Sequence, residues 1–281
     1  MNFTTFSLQQ DGALLRVTLN NPPVNLMSAK MTEELFMLGG RLHADPGVKV
    51  VLVDSADPDF FIAHFDLLDI VASASDPSKA SKYPDMNVLQ SLALSWKALP
   101  QVKIAKVNGR CRGGGLEFIL GAMDMRFATE NSKFCAPESS GGFLACGGGT
   151  TFTALAAGPA RALEFLLSAR DFSAHEAERY GLINRALPAN EIDVYLNDLT
   201  DRLLKRSAGV VAMHREVFNR MYSGIVEPLF SGLAAENEGL RKGMATPEMQ
   251  NGIGAHLQLG QTRETELDLP TTMARIQAMT Q

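Results

Sequence analysis

Lys103-Ile104-Ala105-Lys106-Val107-Asn108-Gly109-Arg110-Cys111-Arg112-Gly113-Gly114-Gly115-Leu116-Glu117 is the stretch on which the fold turns. Lys103 to Val107 reads as a strand, and the three glycines read as the entry to a helix carried by Leu116, Phe118, Ile119 and Leu120. That order puts unshielded amides at a helix start, with the Glu117 carboxylate one turn in. Taken alone, the glycines fit tight packing as well as ligand binding, and a carboxylate near a helix N-terminus is favoured by the dipole. Glu138, which ends Phe134-Cys135-Ala136-Pro137-Glu138, sharpens the reading. A carbonyl could be polarised by the amides while a carboxyl beside it works as acid or base.

Outward from this stretch, Leu14–Leu19 and Val48–Val53 are further apolar or β-branched runs of strand length. Between them, 31–42 has helical periodicity through Leu35, Leu38 and Leu42, so strand–helix–strand order favours an α/β core. A helix is predicted from about Asn87 to Ala98, stopped at Pro100, before the Lys103–Val107 strand. Ser73–Pro84, rich in Ser, Ala, Lys, Asp and Pro, reads as a loop or as a helix that orders with ligand. After about Ala189 the pattern is helical only, with an apolar face from Ile192 to Leu204 and runs at 210–222, 228–240 and 249–259. This gives a core over 1–189 and a helical carboxy-terminal region over 190–281, expected to serve oligomerisation.

The chain has 281 residues, 46% hydrophobic and 20% charged, which suits one large core. Its three cysteines, Cys111, Cys135 and Cys146, show no metal spacing and point to a reducing, cytoplasmic address. Residues 1–11 lack the charge and apolar pattern of a signal segment, and no run approaches a membrane span. A net charge of −5 argues against nucleic acid as a partner. The one basic cluster, Lys103, Lys106, Arg110 and Arg112, reads either as a solvated or interface patch or as a contact for an anionic small molecule.

Gly115-Leu116 stands where a P-loop needs Lys and Ser or Thr, and the second glycine of a dinucleotide fingerprint is missing. No nucleophile elbow or His-Glu-x-x-His occurs, and the five histidines have no ligand spacing, which speaks against a hydrolase triad and a zinc site. His175 reads as an exposed residue in the first turn of a helix. His64 follows a strand, in Phe60-Phe61-Ile62-Ala63-His64-Phe65-Asp66-Leu67, and reads first as a partly buried histidine bonded to backbone.

Taken in order, Asn21-Pro22-Pro23-Val24-Asn25, Phe61–Leu67, Asn108-Gly109 with Gly113–Glu117, Pro137-Glu138, Gly147-Gly148-Gly149-Thr150, Ala160–Glu164 and Ala177–Asn184 resemble the enoyl-CoA hydratase/isomerase (crotonase) superfamily over about residues 10 to 190. The resemblance implies a spiral of βββα units with a carboxy-terminal helical region that supports trimers or hexamers. It implies acyl-CoA thioester substrates and no cofactor or metal, coenzyme A being part of the substrate. By motif, the thioester oxygen is held by the backbone N–H groups of Phe65 and Gly114, with Ala63, His64, Asp66 and Gly113 in substrate-binding positions. Glu117 and Glu138 match the acid–base pair of the hydratases.

Hydration of a 2-enoyl-CoA, or its reverse, is therefore the leading expectation. Isomerisation using Glu138 alone, other enolate chemistry such as hydrolysis or lyase action, and a non-catalytic acyl-CoA-binding or RNA-associated scaffold are the alternatives. Departures from the family pattern are His64-Phe65 in place of Gly and Ala, one extra residue between Glu117 and Asp124, and Ala145-Cys146 in place of Pro-Gly. His64 could brace its turn or lie against the ligand.

Overall fold

A computed structural model describes residues 3–75 and 86–280, with the side chains of 73–75, 219 and 221–228 left aside. The chain runs β1 (Phe6–Asp11), β2 (Leu14–Leu19), α1 (Ala29–Ala44), β3 (Val50–Ser55), β4 (Phe60–Ile62) and α2 (Leu67–Ser75). It continues through α3 (Val88–Lys97), β5 (Val102–Val107), β6 (Arg110–Arg112), α4 (Gly113–Ala122), β7 (Met125–Thr129) and β8 (Lys133–Cys135). A 3₁₀ turn, Glu138–Gly141, leads to α5 (Gly149–Ala157), α6 (Pro159–Ser168), β9 (Phe172–Ser173), α7 (Ala174–Tyr180) and β10 (Arg185–Leu187). Helices α8 (Ile192–Leu204), α9 (Ala208–Met244), α10 (Pro247–Leu259), α11 (Arg263–Leu267) and α12 (Leu269–Thr280) complete it. Apart from Ser73–Ser75, which end α2, the segment expected to order with ligand lies largely outside the described residues.

The strands form a six-stranded sheet, β1-β2-β3-β5-β7-β10, and a four-stranded sheet, β4-β6-β8-β9. Each winding of the chain contributes one strand to each: β3 then β4, β5 then β6, β7 then β8. Pairing is parallel between windings, with Leu52 opposite Ile104 and Ala105 opposite Arg126. This is the α/β spiral the resemblance implies, and a strand buried on both faces explains the unbroken Val50–Val53 run.

The core fills the space between the sheets and helices α1, α3 and α4. Trp96 is fully buried, donates Nε1–H to the Leu35 carbonyl at 3.0 Å and meets Phe118 edge-on at 5.5 Å between centroids. Asn87 caps α3 by accepting from the Leu89 and Gln90 amides, while Gln90 accepts from the Asn87 amide, a reciprocal capping box.

Arg112 is the extended N-cap of α4, so the three glycines form the helix's first turn instead of a turn before it. Helix α9 runs unbroken for 37 residues through Pro228, where separate runs were expected. The basic cluster is tied down within the chain instead of forming a freely solvated patch. Lys103 is buried on Asp124 at 2.9 Å, Lys106 pairs with Asp193, Arg112 with Asp171, and Arg110 donates to the Leu267 carbonyl.

Candidate active site

Asn25 sets the first wall of the site. Held at φ 51° and buried, it donates Nδ2–H to Ser55 Oγ at 2.8 Å and to the Phe60 carbonyl at 3.1 Å. The chain beyond β4 is then pinned by the Met27 N–H on the His64 carbonyl and the Asp66 N–H on the Met27 carbonyl. This pairing uses the His64 carbonyl and the Asp66 N–H on either side of Phe65, and the Phe65 N–H has no backbone acceptor among the described residues.

Gly114 lies against this turn. A Cβ built on it would stand 3.2 Å from the Phe65 nitrogen, and its own N–H belongs to the first turn of α4, which has no intrahelical partner. Gly113, at φ 45°, fits between Glu138 and His64, since an added Cβ would meet Glu138 Oε1 at 3.0 Å and His64 Cβ at 3.1 Å.

Phe65, Gly114, Glu117 and Glu138 all line one cavity of about 570 Å³. Its other walls are mainly apolar, including Leu89, Phe143, Met244 and Ile253. His64 lines it as well. Ala63 is buried instead against Val24 and Phe60, and Asp66 turns to Gln261, whose Nε2 donates to Oδ1 at 2.9 Å. Ala63, Asp66 and Gly113 are not among the residues that line the cavity, whereas His64 is.

Glu117 accepts from the Gly147 and Gly149 amides at 2.7 and 3.0 Å, both on Oε1. Burial raises its carboxyl well above the usual range, and the charges of Glu138 and Glu236 add to this against the two amides. Burial likewise pushes Glu138 up to about 7, opposed by its own backbone amide and the His64 ring. Glu138 Oε2 is buried without a hydrogen-bond partner.

A third carboxyl, Glu236 on α9, was invisible in the sequence. It accepts from the Gly148 amide at 2.7 Å, the Thr151 amide and hydroxyl at 2.6 Å and Gln90 Nε2 at 3.3 Å. It thus clamps the glycine loop whose amides hold Glu117. Cys146, at the position where the family pattern has glycine, lends its carbonyl to Asn87 and Gln90 and fixes that loop to α3.

His64 braces its turn, with Nδ1 at 2.8 Å from the Phe65 carbonyl, and its Nε2 reaches Glu266 Oε1 at 3.0 Å. Burial opposes its charge, but Glu266 outweighs burial and raises the imidazole above its ordinary value. His256 joins them, with ring centroids 5.4 Å apart, although histidine spacing gave no sign of a cluster. His175 is exposed on the first turn of α7, as expected.

The enoyl-CoA hydratase/isomerase family model matches residues 9–263. The chain belongs to this family. A crystal structure from Streptomyces avermitilis, provisionally described as an enoyl-CoA hydratase, is 34% identical, with a TM-score of 0.89 over 98% of this chain and 99% of that one. The short-chain-enoyl-CoA hydratase of Clostridium acetobutylicum is 24% identical over 92% of this chain and 96% of its own. The carnitinyl-CoA dehydratase of Proteus mirabilis is 29% identical over 74% and 77% respectively. Family membership accounts for the spiral of two sheets. Among the described residues, no helix is long and apolar enough to cross a membrane.

Proposed function

We propose that this family member is an enzyme that adds water to a 2-enoyl-CoA, or removes it in reverse, with Glu117 and Glu138 sharing one proton. The observation that carries the reading is the unpartnered Glu138 Oε2, buried on the same cavity wall as Glu117. The ionised member takes a proton from water as its oxygen adds to the β-carbon, and the protonated member supplies the α-carbon. Delivery from one face makes the addition syn. The enolate oxygen accepts from the Phe65 and Gly114 amides, a contribution of about 10²–10³ in rate for each such donor. No cofactor enters beyond the coenzyme A portion of the substrate, and the fit is to a soluble acyl thioester in the cytoplasm.

A panel of enoyl-CoA thioesters, followed through the conjugated enoyl absorbance, tests this reading. Loss of absorbance with a hydroxyacyl product supports it. Movement of the double bond without water uptake supports isomerisation, which the two amides already engaging Glu117 Oε1 favour as the second reading. No turnover with any thioester, together with tight acyl-CoA binding, would leave the scaffold reading.

The proton count gives a pH dependence. Burial raises both carboxyls, Glu138 to about 7, and the base appears only when the pair loses its first proton, so kcat/KM should rise as pH increases through about 7. It should fall again once the last proton leaves the pair. A profile flat between about pH 5 and 9 contradicts the shared-proton scheme.

We also propose a homotrimer or a dimer of trimers, from the family resemblance and from exposed apolar side chains such as Val194 on α8 and Met213 and Phe218 on α9. Light scattering at micromolar concentration should give a multiple of three times the 30.4 kDa chain, and a monomer removes the claim.

A further inference from the structure

His64, His256 and Glu266 come from the turn after β4, from α10 and from α11, and together they bring two imidazoles and a carboxylate into one buried cluster. Their ligand atoms all lie within 4.8 Å of one another, with His64 Nε2 at 3.0 Å and His256 Nε2 at 3.6 Å from Glu266 Oε1. Zinc bonds of about 2.0–2.2 Å hold donor atoms about 3–4 Å apart, a range that the 3.0 and 3.6 Å separations from Glu266 Oε1 already meet.

The hydrogen-bond count decides what this cluster is for. His64 Nδ1 faces the Phe65 carbonyl, which can only accept, so in the neutral ring the single hydrogen sits on Nδ1 and Nε2 presents a lone pair. That lone pair points at a carboxylate. A second proton on His64 resolves this one contact, yet Glu266 Oε2 remains buried without a hydrogen-bond partner, and His256 Nε2 lies 3.6 Å from Oε1, longer than a good hydrogen bond. Burying polar atoms so poorly paired is costly. One divalent cation satisfies all three side chains at once.

We propose that His64 Nε2, His256 Nε2 and the Glu266 carboxylate bind one zinc-type divalent ion. The donor set, two imidazoles and a carboxylate, is one that zinc accepts with a fourth position open, and both histidines line the main cavity, so that position faces it. The outer contacts suit the role. The Phe65 carbonyl orients His64, and Arg112 donates Nη1–H to the Glu266 backbone carbonyl at 2.6 Å. The ion ties α10 and α11 to the turn that carries the Phe65 amide. This inference goes beyond the hydratase reading and does not rest on it.

Untagged protein, stripped with a chelator and shown by circular dichroism to be folded, is titrated with zinc chloride against a chromogenic zinc indicator. One equivalent per chain is expected, together with a rise in melting temperature. His256→Ala and Glu266→Gln should each weaken binding by at least about 100-fold. His43→Ala, at an exposed histidine of α1, should change nothing. Absence of stoichiometric binding by the unaltered protein, or binding unchanged in both variants, overturns the proposal. Zinc-edge X-ray absorption of the unaltered protein keeps the test open if the variants do not fold: two imidazoles with oxygen donors are expected, and any other shell rejects the site.

Discussion

Glu138→Gln and Glu117→Gln are each expected to lower turnover by about 10²–10⁴ while leaving acyl-CoA binding nearly unchanged. Glutamine keeps the shape and one carbonyl oxygen but cannot exchange a proton, so the loss should fall on kcat. The two variants should differ in stability. At Glu138 the replaced carboxyl is buried with Oε2 unpartnered, and its folded value of about 7 lies above the ordinary 4.5. A group raised in this way contributes stability that is present below the unfolded value and is lost as pH rises through the folded one. Glu138→Gln should therefore remove a destabilising charge above about pH 7 and leave melting temperature equal or higher there. At Glu117, Gln can still accept from Gly147 and Gly149, but its amide hydrogens enter a space shaped for a carboxylate. Near-normal turnover in both variants would sink the acid–base assignment, whereas loss confined to Glu138→Gln transfers the reading to isomerisation.

The parts of this site that were legible in the sequence share a local cause. Glu117 stands two residues after the glycine triplet and Glu138 directly after Pro137, residues that constrain backbone and mark turns, and Gly114 lies on the Glu117 segment. The Val50–Val53 strand and the capped α3 helix were legible because their apolar or capping residues are close in sequence. Glu236 and Glu266 had no such marker. Each is an ordinary acidic residue on a helical stretch, and their partners lie far along the chain: Glu236 bonds Thr151, and Glu266 bonds His64. Only the folding back of α9 to α11 over the core brings them to the loop and the turn behind the cavity wall, where they hold Gly148 and His64.

Other differences follow from tertiary contacts overriding local preference. Pro228 marks a break on propensity alone, but α9 is held beyond it by buried Leu233 and Glu236 and by Gly239 packed close to Leu144. Strands β4, β6, β8 and β9 have only two or three residues each, too short for alternation to register, and pairing with neighbours defines them. Basic residues close in sequence looked like a patch because nothing local shows that Asp124, Asp171 and Asp193 are their partners.

Gly114→Ala isolates the amide pair, because no side chain can be removed to test a backbone donor. Gly114 lies in the first turn of α4, where alanine is the better helix former by up to about 1 kcal/mol, so local propensity favours the substitution. The obstacle is across the gap. The new Cβ would stand 2.8 Å from Phe65 Cβ, with Phe65 N and Leu89 Cδ2 both at 3.2 Å. Contact that short cannot persist, so the Phe65 turn must move away from α4 and the two N–H groups must separate. Turnover should fall by about 10²–10³, the loss that follows removal of one oxyanion donor. Gly40→Ala in α1 supplies the control, since its Cβ would meet nothing within 4 Å while offering the same helical gain. Turnover and melting temperature measured on both variants separate the effects. Gly40→Ala should keep full activity, and Gly114→Ala should lose it in a protein that remains folded by circular dichroism. Retention of turnover within about threefold in folded Gly114→Ala would mean that the Gly114 amide does not hold the developing oxyanion.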